Sequence, residues 1–144
     1  MTAKVLTQMS RPNTPEKVFG FTAEDWAEMR DETRRTLAEV ARGRRTISYG
    51  ELVGRVSAGR ISARSAALTR LLGEVCQIED AERGTMLGSV VVRADTGIPG
   101  EGYFRHASEL GRDVSDKEAF WRREVERVWA VWERDTGAGS EGGS

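Results

Sequence analysis

Apolar residues recur at helical spacing in three stretches of the chain. Trp26, Met29, Leu37 and Val40 form one stripe, and Ala66, Ala67, Leu71, Val75 and Ile78 a second. Trp121, Val125, Val128 and Trp132 form a third, with Phe120 and Trp129 beside it. Residues three, four and seven apart share a helix face, so each stretch predicts a helix with one side on a core. Leu52, Val53 and Val56 predict a shorter helix between the first two. Val90, Val91 and Val92 are β-branched and predict a strand. The stretch 95–102, "DTGIPGEG", reads as a turn, and Tyr103-Phe104 as the start of a return strand, giving a small β-hairpin. A short helical piece at 106–110 follows.

Capping residues set the boundaries. Thr22 opens the first helix, with Asp25 in its first turn, and Gly43 stops it. Ser48 and Glu51 form a Ser-x-x-Glu capping box after a short extended piece at 45–47. Gly59 marks a turn, Ser62 is the expected cap of the third helix, and Ser115 with Glu118 forms a second capping box. The pattern predicts an irregular arm over 1–21, one domain over 22–135 and a disordered Gly/Ser tail over 136–144. The fold class it implies is mainly α with a small β-hairpin (α+β): a winged helix-turn-helix with an extra C-terminal helix.

Composition narrows the function classes. No apolar run reaches the ~18–20 residues of a membrane span, and the first residues lack the apolar centre of a secretory signal, so a cytoplasmic protein is expected. One cysteine, Cys76, excludes an internal disulfide and fits a reducing compartment; it reads as a small core residue. Net charge is -1, which by itself disfavours a polyanion partner. Residues 41–70, however, carry seven arginines against the single acid Glu51. Arginine matches phosphate and guanine in bidentate geometry.

In helix-turn-helix proteins the helix after the turn enters the groove with its N-terminal residues. Here those are "RISARS", with Arg60, Ser62, Arg64 and Ser65, followed by Thr69 on the outward side. Arg42, Arg44, Arg45 and Arg55 would contact phosphate, and Arg93 and Arg105 would do so from the wing. The expected partner is therefore double-stranded DNA.

"ISYGELVGRV…SARSAALTRLL" resembles the DNA-binding C-terminal domain of O6-alkylguanine-DNA alkyltransferases and the alkyltransferase-like proteins, across roughly residues 45–103. That family has a Ser-Tyr pair opening the first helix of its helix-turn-helix and an Arg near the start of its recognition helix. Tyr49 and Arg64 match them by position. The resemblance implies minor-groove binding, a flipped base beside Tyr49, and Arg64 filling the gap in the stack. The chain departs from the family at its reactive motif. Where the family has Pro-Cys-His-Arg or Pro-Trp-His-Arg before Val-Val, this chain has "TMLGS". Alkyl transfer is thus not expected, nor is any cofactor or metal.

Other chemistry finds little support. His106 is the single histidine and reads as a surface or capping residue rather than a triad member. Glu79, Asp80 and Glu82 read as a solvated helix end. "TGIPGEG" lacks the order of a phosphate-binding loop. Three of the four tryptophans, Trp121, Trp129 and Trp132, lie on the last helix. They fit core packing or, as the rival function, a surface for a protein partner or a second copy of the chain, helped by the glycine-proline loop.

Overall fold

The computed structural model describes residues 17–56, 61–63 and 65–139. The chain is mainly helical with a two-stranded sheet. In order it forms α1 (Ala23–Arg42), β1 (Ile47–Ser48), α2 (Tyr49–Arg55), α3 (Ala66–Arg83), a 3-10 turn (Leu87–Val90), β2 (Val91–Val92), α4 (Glu101–Glu109) and α5 (Lys117–Gly139).

α1 begins where the Thr22 hydroxyl accepts the Asp25 N–H, and it buries Trp26, Met29, Leu37 and Val40 as the spacing predicts. Thr33 lies in the same stripe; its hydroxyl is satisfied by donating to the Met29 carbonyl. The helix ends at Arg42 with Gly43 as its C-cap, as expected. Arg44 takes the left-handed conformation (φ 53°), and the Arg45 N–H returns to the Val40 carbonyl at 3.1 Å. That closure normally uses glycine, because a side chain enters left-handed backbone at a cost.

α2 starts at the expected capping box, with Ser48 and Glu51 exchanging bonds. The cap of α3 is Ser65 rather than Ser62. Ser62 is used one step earlier, its carbonyl accepting both the N–H and the hydroxyl of Ser65, and Ser65 then accepts the Leu68 N–H. α5 is likewise capped by Asp116, whose carboxylate accepts the Ala119 N–H, and not by Ser115. It continues helically to Gly139, into the stretch expected to be a tail. At the other end, residues 18–21 form a bridged turn with Phe19 stacked on Trp26, so the irregular arm is shorter than expected and its residues 1–16 lie outside the described ones.

The mainly α, α+β class is as expected, but the hairpin is not there. β2 pairs in parallel with β1, in register Ile47 with Val91 and Ser48 with Val92. α2 and α3 form the crossover that parallel pairing requires. After β2 the chain turns at Arg93–Gly97 and enters α4, so Tyr103-Phe104 is helix and not a return strand. Tyr103, Phe104 and Ala107 bury one helical face there. The two adjacent aromatics serve equally well in a helix whose neighbour covers them.

The core forms where α1, α3 and α5 close around the buried 3-10 turn. α4 lies against α3 at two glycines. A Cβ on Gly73 would sit 2.4 Å from the His106 ring, and one on Gly102 2.9 Å from the Thr69 methyl. Gly73→Ala should therefore push His106 off the Thr69 carbonyl and destabilise by ~1–3 kcal/mol, the range for overpacking, despite alanine's better helix propensity. Chemical denaturation of the variant measures this; a stabilised Gly73→Ala would show that α4 can move away freely.

Candidate functional site: a cleft beside the small sheet

A cleft of about 710 Å³ opens beside the small sheet, lined by the starts of α2 and α4, one side of α3 and the turn after β2. The cap at Ser48 sets the first residue of α2, and so places Tyr49 at the cleft. Its hydroxyl accepts the Gly100 N–H at 3.0 Å, joining α2 to the start of α4. Burial raises the Tyr49 pKa, with the Gly100 N–H opposing it, so the phenol keeps its proton and can donate it onward.

Across the cleft, Thr69 presents its carbonyl to the imidazole Nε2–H of His106 at 3.0 Å. Deeper in, the Tyr103 hydroxyl and Ser89 Oγ lie 2.7 Å apart, with Tyr103 also pushed up by burial. The pair owns two hydroxyl protons and spends one on the mutual bond. The Ser89 carbonyl accepts the indole N–H of Trp121 at 2.8 Å, so α5 holds the residue behind Tyr103. Arg93 stands exposed at the rim in a two-point pair with Asp95.

Cys76 reaches the floor but has no nucleophilic character. It is buried, its sulfur accepts the Gly88 N–H, and burial pushes the thiol up to about 12. A Cβ on Gly88 would lie 2.7 Å from that sulfur, so the glycine is the space the thiol occupies.

The structure brings Tyr49, Thr69 and Arg93 to this cleft, beside Ala63; Ser62 and Ser65 sit on either side of that alanine in the turn leading into α3. Arg60 and Arg64 lie outside the described residues. The other expected phosphate contacts are placed elsewhere. Arg42 lies over Trp132 at 5.0 Å, and Arg55 pairs with Glu39 at 3.1 Å. Arg44 lies over Trp129 and between Glu126 and Glu133 of α5. Arg45 is exposed, its carbonyl holding the Trp129 N–H. Arg105 is exposed on α4 and not on a wing.

Three further expectations change. Glu79 is fully buried, bound by Arg34 and Arg83, while Asp80 pairs with Arg112, so this is no solvated helix end. Trp121 and Trp132 are buried in the chain's own core, and Trp129 is half-covered beneath Arg44. Pro99 is buried as well. Of the three tryptophans, Trp129 alone keeps substantial exposed surface for a partner. His106 is a cleft residue rather than a surface one. Ser89, Tyr103 and His106 were not legible as site residues; the one sequence hint was Gly88, a glycine just ahead of a β-branched run.

No protein-family model, curated protein or solved structure matches the chain. Among the described residues no helix is long and apolar enough to cross a membrane.

Proposed function

We propose that this chain is a non-catalytic duplex-DNA-binding protein, acting as a regulator or as an adaptor that senses a damaged or modified base. One observation carries the reading: Tyr49, the leading end of α3 and the exposed Arg93 border a single open cleft, lined also by the starts of α2 and α4. The start of α4 adds the positive end of a helix dipole, which favours an anionic partner. The phenol of Tyr49 then faces a phosphate or a displaced nucleotide, with Thr69 and Arg93 beside it. Arg60 and Arg64 are assigned to DNA binding on the alkyltransferase-like resemblance and the sequence pattern alone. Cys76 supplies no alkyl acceptor, because its buried thiol resists ionisation.

The test is fluorescence anisotropy with a labelled duplex across a salt series. Log affinity should fall with log salt at a slope of about -0.9 per phosphate neutralised. Arg64→Ala should weaken binding by ~1–3 kcal/mol, the range for one good base contact. No binding even at low salt would sink the proposal.

A further inference from the structure

Arg44 occupies a position where its backbone favours glycine, yet it carries the largest cationic head available. Its left-handed φ of 53° closes the C-terminal end of α1. Its guanidinium is then held on three sides by α5: Glu126 at 2.9 Å, Glu133 at 3.3 Å, and the Trp129 ring 4.9 Å below. Trp129 is itself fixed by donating its N–H to the Arg45 carbonyl. The ring thus lies under the guanidinium while the two carboxylates take its N–H groups.

Those carboxylates are poorly protected. Glu126 and Glu133 are 61% and 42% exposed and Arg44 is 43% exposed, so water and salt screen the pairs. Carboxylate and phosphate fit the same guanidinium fork, and one readily takes the other's place. Arg44 also lies five residues before Tyr49, within roughly 18 Å along even a fully extended chain.

We propose that Glu126 and Glu133 act as an internal competitor for nucleic-acid phosphate at Arg44, so that α5 restrains the chain's own affinity for DNA. The idea rests on the DNA-binding reading and adds its regulation. Phosphate displaces the two glutamates, Trp129 keeps the guanidinium in place during the exchange, and the liberated acids face solvent. Anything that neutralises or draws away this part of α5 raises affinity.

Anisotropy titrations of four proteins test this: wild type, Glu126→Gln/Glu133→Gln, Arg44→Gly, and the triple variant. Glycine is chosen because the left-handed backbone accepts it without strain, which keeps the fold. A charge-matched control, Glu24→Gln/Glu28→Gln, neutralises two exposed acids at the far end of α1. The expected result is a several-fold gain in affinity for the α5 double variant, with the log–log salt slope steeper by about one phosphate contact. That gain should vanish in the triple variant and be much smaller in the control. A gain that survives Arg44→Gly, or that the control equals, would reduce the effect to net charge and overturn the proposal. Unchanged affinity in the double variant, with wild type still binding, overturns it while leaving DNA binding intact. No binding by any variant at low salt overturns both.

Discussion

Trp121→Ala should lower the free energy of unfolding by ~3–5 kcal/mol, the range for deleting a buried Trp or Phe side chain. At roughly 4 °C per kcal/mol for a chain of this size, the melting temperature should fall by roughly 12–20 °C. Two losses combine. The indole is only 9% exposed, so its removal opens a cavity beneath the 3-10 turn. The buried Ser89 carbonyl also loses the N–H it accepts at 2.8 Å. Trp121→Phe separates the two, since it keeps most of the apolar volume; it should cost ~1–3 kcal/mol, chiefly for the orphaned carbonyl. Thermal melts and denaturant titrations of both variants check this. A loss under 1 kcal/mol for Trp121→Ala would mean that α5 does not hold the residue behind Tyr103, and would return Trp121 to the partner-surface reading.

Removing both guanidiniums from Glu79 should cost ~3 kcal/mol in the Arg34→Met/Arg83→Met variant. Glu79 is fully buried between α1 and α3, with Arg34 and Arg83 as its cationic partners. A buried charge stripped of its partners typically costs ~3–5 kcal/mol. The lower end applies because both arginines are 29% exposed, so water can enter once they are gone. Methionine keeps the apolar stem, which matters for Arg83 because it lies over the Trp132 ring at 4.3 Å. Adding Glu79→Met should then recover most of the loss, since replacing a whole buried ion set by apolar groups is often neutral. Denaturant unfolding at neutral pH measures all three proteins. If the triple variant were no better than the double, the loss would come from packing and not from the stranded carboxylate.

Local signals were legible in the sequence and long-range partners were not. Thr22 and the Ser48–Glu51 box announced α1 and α2 because a cap acts within three residues, and the apolar stripes of α1 and α5 are the ones observed. Tyr103 and Phe104 suggested a strand because adjacent aromatics fit one, and only the packing of α4 against α3 decides for helix. Glu79 is buried where Ile78 was expected, since arginines from α1 and from α3's own last turn make that burial affordable. The arginine-rich stretch misled for a related reason. Counting charge over a window cannot reveal that Arg44 is met by Glu126 and Glu133, some eighty residues away. Tyr49 was reached through the alkyltransferase-like resemblance, the Ser48–Glu51 box explaining only the helix start before it. Ser89 and His106 become site residues only through contacts with Trp121, Tyr103 and Thr69.

The pairing of β1 with β2 makes α2 and α3 inseparable from the rest of the chain. Ile47 and Ser48 acquire their hydrogen-bonded neighbours only when Val91 and Val92 arrive from beyond α3. The residue that follows, Tyr49, is then tied to Gly100, further on still. Unlike a helix pair that can be lifted out and grafted, this one has its first helix moored to segments made later in synthesis. A fragment ending after α3 would keep the arginines and lose the place where Tyr49 belongs.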